Sequence, residues 1–517
     1  MADRSRGGAR NLPQGRDPSR LSQQAPRPDA PNRQRRQTRR GPPHPRTHHE
    51  LDPRKVAFET LRRLKPGDLV DPAVLETLSY LGHGTDFAHR VQPMVEDAVR
   101  FAILFDHLIA HVASRPALEL DADVRAALHL FLAWFLCGDA KAVYAHGNAA
   151  VDLLSDKHKG RGFVNACVRR LGEFLKVETQ APEDYRAVLA AHQPLPLWAN
   201  RARLGAGRFV SAERGLLPDP QTQLAEHLAL ACALPRLLVD KLLEQYGPQG
   251  AIQACVAAVE RPATWLRHNP LAASDSPAAW WISRGIALET APIEGAVDAI
   301  ALPWNVNVAS HPDFVRGAFY VQDYSAQLVA PAMRPEPGQA LLDLCAAPGG
   351  KTGHLAELTQ DRARILACDL TEAKIERISS NISRMGYRSV ATVMADASTV
   401  QFPEKFDGVL VDAPCSNSGV LARRVEARHR LDADNLAKLT SLQAAILENA
   451  TRNLKPNGTL VYSVCSMLME EGVDVVHKFM TKARENAGWE VEHENFLLPV
   501  PGWHDGGYLA RLRAPES

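Results

Sequence analysis

Two cysteines stand in matching settings: "DAPCSNSG" runs from Asp412 to Gly419 and "YSVCS" from Tyr462 to Ser466. Each follows a short apolar run and is framed by small residues, the pattern of a buried strand that ends in a loop. Two thiols placed this way suit a particular chemistry. Carbon 5 of cytosine is a poor nucleophile. Adding a thiolate to carbon 6 makes an enamine-like ring whose carbon 5 can attack an electrophilic methyl group. The hydrogen on carbon 5 must then leave and the sulfur be expelled, a step a second thiol can assist. Asp412, three positions before Cys415, can hydrogen-bond the ring so that charge arriving at a ring nitrogen is neutralised. Arg423 and Arg424 lie close in sequence and can supply the field a thiolate needs, or grip phosphates. A lone cysteine at a strand end is ordinarily a small apolar filler, and Cys137, Cys167, Cys232, Cys255 and Cys368 read that way.

Upstream, "LLDLCAAPGGKTGHLAEL" reads as strand, tight turn and helix. Ala346, Ala347, Gly349 and Gly350 remove side chains where a ligand must approach backbone, and Pro348 fixes φ without needing a donor. The amides at the helix start can meet a polar or anionic group. "RILACD" ends at Asp369, 20 residues after Gly349, where a carboxylate can accept from two ribose hydroxyls. "MAD" ends a third strand at Asp396, where a carboxylate can accept from an adenine amino group. No second glycine set for a pyrophosphate follows, which favours S-adenosyl-L-methionine over a dinucleotide. Cys345 sits inside the turn and is expected to line it without reacting.

These groups need a frame to hold them. From Phe319 onward, short Val-, Leu- and Ile-rich runs alternate with helical stretches such as "EAKIERISSNISRMG". That alternation predicts a Rossmann-like α/β domain over residues 319–517, with a doubly wound, mostly parallel sheet. Both cysteines then fall at the carboxyl ends of strands, where ligands gather in such sheets. Residues 51–176 carry apolar positions at three- and four-residue steps, predicting an all-α bundle of about six helices. Residues 177–318 are mixed and predict a small α+β segment, with "LPRLLVDKLLEQYG" a helix stopped by its glycine. Residues 1–50 hold 12 Arg, no Lys and 4 acids, +8 in all, which leaves −7 for the remaining chain and a net +1. This Pro- and Gln-rich stretch predicts a disordered tail, suited to a polyanion. The longest clean apolar run, "AALHLFLAWFLC", is 12 residues, too short to span a membrane at the roughly 20 required, and reads as a buried core helix. No apolar run follows the basic N-terminus, so no secretory signal is expected. Eight scattered cysteines with no CxxC pair predict neither a disulfide framework nor a metal site, but reduced thiols in a cytoplasmic protein.

The sequence resembles the RNA (cytosine-5) methyltransferases, most closely the bacterial 16S ribosomal RNA branch with a NusB-like N-terminal domain. The resemblance rests on "DLCAAPGGKT", "DAPCS", "YSVCS" followed by "EE", "GAFYVQDYSAQL" and "DGGYLARLR", and spans residues 51–517. It implies that Cys465 is the nucleophile and that Cys415 assists release. It further implies that Cys345 to Lys351, Asp369, Asp396 and Asp412 line the cofactor site, with Lys351 reaching into the active site. The helical region would be NusB-like and RNA-binding, and the protein a monomer that needs neither membrane nor metal. This chain departs from the family pattern at Asn417 and Ser418, at Val425 and His429 after the arginine pair, and at Val464 and Met469. The same chemistry on transfer RNA, and a non-catalytic ribosome-assembly factor that keeps the fold, are the alternatives. An amino-group methyltransferase needs no thiol, and "DAPC" does not read as its site.

Overall fold

The structure, a computed structural model, describes residues 52–516 apart from 214, 273–275 and 487. The arginine-rich stretch 1–50, expected to be disordered, lies outside the described residues. No helix among the described residues is long and apolar enough to cross a membrane.

The first region is helical: α1 (Pro53–Arg63), α2 (Val70–Tyr80), α3 (Ala88–Arg100), α4 (Ala102–Ala113), α5 (Ala122–Leu132), α6 (Val143–Leu153) and α7 (Arg161–Phe174). Asp52 caps α1 ahead of Pro53, and Asp121 caps α5, each carboxylate accepting amides of the first turn. In α5, Val124 and every residue from Ala126 to Leu132 are buried, and a π-helical turn carries the run on to Cys137. The sequence predicts about six helices, and seven form among the described residues. The periodic stretch "VEDAVRFAILFDHLIAHVA" divides at Phe101, where the chain leaves helical geometry at φ −101° and ψ 13°. Phe101 is buried there, and the Arg100 guanidinium turns aside to the Ala422 carbonyl at 2.7 Å.

The middle region holds two antiparallel sheets. β1 (Lys176–Thr179) precedes α8 (Tyr185–Ala190), β2 (Arg201–Gly205) and β3 (Arg208–Ser211), with sheet order β1-β3-β2. α9 (Leu224–Ala231) and α10 (Arg236–Ala257) follow. Gly247, at φ +64°, breaks α10 as its type predicted, but helix resumes from Pro248 instead of stopping. β4 (Thr264–His268), α11 (Ala278–Ile282), β5 (Glu289–Ala291), β6 (Ala299–Leu302) and β7 (Phe319–Val321) complete the second sheet, in order β5-β6-β4-β7. The expected start of the α/β domain at Phe319 therefore cuts through a sheet. Phe319 pairs with His268 and packs in the cluster of Leu266, Trp281 and Ile300.

The last region contains α12 (Tyr324–Gln327), α13 (Val329–Ala332), β8 (Ala340–Asp343), α14 (Gly350–Leu358), β9 (Arg364–Asp369), α15 (Glu372–Met385), β10 (Val390–Met394), β11 (Phe406–Asp412), α16 (Ala433–Thr451), β12 (Leu454–Val464), α17 (Val473–Asn486), β13 (Glu490–Leu497) and β14 (Gly507–Arg513). Its seven strands run β10-β9-β8-β11-β12-β14-β13. The first five are parallel, and β14 and β13 add antiparallel at one edge. Apolar clusters cover both faces, as a sheet fed by crossover helices requires. Strand order reverses between β8 and β11, the switch point at which such sheets bind ligands.

One buried cation joins all three regions. Arg428 is 1 % exposed, and its guanidinium donates to five carbonyls: Val425 and Leu421 at 3.0 Å, Arg100 at 2.8 Å, Ala233 at 3.1 Å and Ala258 at 3.2 Å. Burial, with the like charge of Arg100 nearby, pushes its pKa down to about 9, although Glu426 pulls the other way. All five N–H donors of the fork have work there, which three on a lysine cannot match. Arg428→Met is expected to cost about 3 kcal/mol or more, since it leaves several buried carbonyls unpaired. Arg428→Lys should recover only part of that loss. Urea denaturation of the three proteins measures both.

Candidate active site

β11 and β12 lie side by side and parallel, with Asp412 opposite Ser463. The chain leaves both strands at the same edge of the sheet. Cys415, on the loop after β11, and Cys465, just past the end of β12, therefore meet, with their Sγ atoms 3.3 Å apart. Its hydrogen bond to Cys465, burial, and the nearby negative charge of Glu471 all push the Cys415 thiol well up. Asn417 stands in the left-handed region at φ +60°, where asparagine is tolerated. Its Oδ1 accepts from Cys465 Sγ at 3.3 Å and its Nδ2 donates to the Cys415 carbonyl at 3.1 Å. Ser418 Oγ accepts from Met467 N at 2.9 Å. The two departures from the family pattern thus stitch one cysteine loop to the other. Gly419 completes the seam: its amide donates to the Cys465 carbonyl at 3.0 Å, and a Cβ there would lie 2.4 Å from the Gly506 carbonyl.

Lys351 enters from the first turn of α14. Its Nζ donates to Asp412 Oδ2 at 2.5 Å, and Ser463 Oγ donates to Asp412 Oδ1 at 2.8 Å. Burial works against the ammonium, but the Asp412 carboxylate outweighs it, and the field of Cys465 adds to the raised Lys351 pKa. A cleft opens beside these groups, lined by Lys351, Asp412 and Cys465 together with Ser325, Asn495 and Tyr508. Those last three were not picked out from the sequence. They arrive from α12, β13 and β14, and only the likeness of "GAFYVQDYSAQL" and "DGGYLARLR" to family segments pointed to that part of the chain.

The turn between β8 and α14 carries the other predicted residues. Gly349 has φ +100°, open to glycine and strained for other residues. Ala347 N donates to Asp369 Oδ2 at 3.0 Å, while Asp369 Oδ1 accepts from Leu370 N at 2.7 Å and from Lys374 Nζ at 2.8 Å. Asp396 is exposed, and hydrogen bonds from the hydroxyl and amide of Ser398 hold its pKa down. Leu370 and Met394, each 60 % exposed, present apolar side chains at the ends of β9 and β10. Carboxylates, exposed apolar groups and side-chain-free backbone in one place fit the ribose, adenine and polar tail of S-adenosyl-L-methionine. Cys345 is pushed well up by burial and by Asp343 beside it. From the middle region, Arg267 on β4 donates to the Gly350 carbonyl at 2.8 Å and pairs with Glu357 at 2.7 Å, fixing the start of α14.

Arg423 is a correction to the sequence reading. Its guanidinium is committed to Asp505 at 2.8 Å, Asp323 at 3.3 Å and the Ala263 carbonyl at 2.7 Å. Burial opposes its charge, and the two carboxylates raise its pKa in spite of it. It is a clasp on partners 82 and 100 residues away, not a free grip for phosphate. Arg424 is exposed and has no ion-pair partner among the described residues.

A family model described as 16S rRNA methyltransferase RsmB/F matches residues 330–501. A ribosomal RNA small subunit methyltransferase B of Shewanella oneidensis is 32% identical over 330 residues, 59% of this chain and 73% of that protein. One from Klebsiella pneumoniae is 34% identical over 287 residues, 53% of this chain and 64% of that protein. The crystal structure of PH0851 superposes with a TM-score of 0.64 at 21% identity, covering 90% of this chain and 99% of that chain, a likeness of fold.

Asp343, at the end of β8, is fully buried and accepts from Thr352 Oγ1 at 2.7 Å. Burial pushes its pKa from 3.8 up to about 7, although the Thr352 bond pulls the other way. The folded chain therefore keeps a proton that the unfolded chain releases near pH 3.8, and Asp343 destabilises the fold progressively as pH rises from there to about 7. Asp343→Asn removes that titration. The variant's denaturation midpoint, compared with the wild type's, should improve as pH rises through the window. A difference that stays flat with pH contradicts the assignment.

Proposed function

Because the chain belongs to the 16S rRNA methyltransferase RsmB/F family and is an RNA methyltransferase, we propose that it forms 5-methylcytosine in 16S ribosomal RNA through a transient bond from Cys465 Sγ to carbon 6 of the base. The observation that carries this reading is the pair of thiols 3.3 Å apart beside the Lys351–Asp412 ion pair. A methyltransferase acting on an amino group has no use for either sulfur. Transfer RNA would need the same residues, and the likeness to ribosomal RNA small subunit methyltransferases B favours small-subunit ribosomal RNA.

The target base leaves its stack and enters the cleft next to Cys465. Cys465 adds to carbon 6 as the thiolate, beside the Lys351 ammonium. Negative charge then spreads over the ring, where Lys351 meets it and Asp412 hydrogen-bonds the ring edge. S-adenosyl-L-methionine, held by the turn Cys345–Lys351 with Asp369 and Asp396, supplies an electrophilic methyl group. Release breaks the bond from carbon 6 to Cys465 sulfur and removes the proton on carbon 5. Cys415 is within reach of the departing sulfur. Its thiol proton passes to that sulfur, and the thiolate left behind takes the proton from carbon 5. The helical region is NusB-like in this reading and grips the RNA backbone. Tyr144, 82 % exposed on α6, offers a face on which a base can stack.

Purified protein, labelled cofactor and RNA from cells lacking the gene test the proposal. Cys465→Ala should lose ~10³-fold or more of methyl transfer and form no covalent complex on a denaturing gel. Cys415→Ala should accumulate one. A clean gel for both variants contradicts the two-thiol assignment, and full function in cells carrying Cys465→Ala would favour a non-catalytic assembly factor.

A further inference from the structure

Glu471 is fully buried and touches neither sulfur through a hydrogen bond, yet its carboxylate collects donors from both cysteine segments. Oε1 accepts from Ser416 N at 2.8 Å and from Gln443 Nε2 at 3.1 Å. Oε2 accepts from the hydroxyls of Ser416 and Ser466, each at 2.5 Å. Its backbone carbonyl accepts from Tyr462 Oη at 2.7 Å. Ser416 follows Cys415 and Ser466 follows Cys465, so a single side chain holds the residue after each thiol. Ser418 and Ser466 close the ring, Oγ to Oγ, at 2.8 Å.

Packing alone does not ask for a charge at this position, since a glutamine fills the same volume. The charge has a side, however. Glu471 accepts from the amide next to Cys415 and helps push that thiol up, whereas the Lys351 ammonium lines the same cleft as Cys465. Glu471 is fully buried and Lys351 only 16 % exposed, where fields are less screened than in water. The titratable and charged groups that face the pair are Glu471 and Tyr462 around Cys415, and Lys351 with Asp412 around Cys465, with Asp343 beyond Lys351. The pair is thus placed between opposite charges from two elements.

We propose that Glu471 is the positioning residue of the thiol pair, locking both cysteine segments in one register and, by its negative charge beside Cys415, making Cys415 the partner that holds the proton while Cys465 attacks. This rests on the thiol roles proposed above and assigns the group that divides them. An unpaired geometry would let either sulfur ionise; the carboxylate gives the pair a direction.

The test uses the full chain without RNA or cofactor. Iodoacetamide labelling across a range of pH, read by peptide mass spectrometry, gives a midpoint for Cys415. In Glu471→Gln that midpoint should fall, and Cys415 should label several-fold faster at neutral pH, with Cys465 labelling changed less. A merely structural role would lower the melting temperature and leave the midpoint where it was. A folded Glu471→Gln with an unmoved Cys415 midpoint overturns the proposal. Should Glu471→Gln fail to fold, Ser466→Ala carries the test. Diamide oxidises the two thiols to a disulfide and is itself reduced to the hydrazine, at a rate that depends on how the segments are held. Ser466→Ala should slow that closure several-fold, and an unchanged rate overturns the shared register. Neither readout involves methyl transfer, so failure here leaves the covalent-complex experiment standing, and failure there leaves this one.

Discussion

Adjacent parallel strands deliver their chains to the same edge of a sheet, and the site depends on that constraint. The pairing of β11 with β12, Asp412 opposite Ser463, brings together two cysteines 50 residues apart in sequence. A slip of one residue would turn every side chain of a strand to the other face and carry Asp412 away from Lys351. Because the strand order reverses between β8 and β11, the turn that begins α14 stands beside the same edge. Lys351, at the start of α14, and Cys465 thus line one cleft.

The edge is held from behind by guanidiniums, fully buried at Arg267 and Arg428 and partly exposed at Arg423, each reaching out of one region into another. Arg267 ties the four-stranded sheet to the start of α14, Arg423 clasps Asp323 and Asp505 next to the cysteine loops, and Arg428 binds the helical region to the loop that follows Cys415. Such groups are costly to desolvate and stabilise only when every donor is used. Their effect here is positional: they fix where three regions meet, as a site with reacting atoms a few ångströms apart demands. Tyr387, which donates to Glu357 of the Arg267 pair, extends the same network to the end of α15.

Much of the catalytic frame was legible because its signals are local. Short Val-, Leu- and Ile-rich runs ending in Asp or in a small-residue loop marked β8, β9, β11 and β12, and the cysteines stood out by what preceded them. What stayed hidden depends on distance. Arg423 looked like a phosphate ligand because its two carboxylate partners lie 82 and 100 residues away. Asn417 and Ser418 looked like departures from a pattern, yet in the structure they join the two cysteine loops. Glu471 was visible only as one of two glutamates after the second cysteine, and nothing in its neighbourhood announces four donors. At Phe101 the periodicity of a helix continued straight through a break, beside which Arg100 reaches the Ala422 carbonyl 322 residues away.

The central claim is that sulfur of residue 465 bonds to carbon 6 of a cytosine. RNA carrying 5-fluorocytosine at the target position tests it directly, since fluorine cannot leave as a proton does and the bonded state cannot resolve. Incubated with the wild-type protein and S-adenosyl-L-methionine, then digested and mapped by mass spectrometry, the nucleotide should be found on the peptide containing Cys465 and on no other. No bonded nucleotide, or one attached through Cys415, would contradict the account.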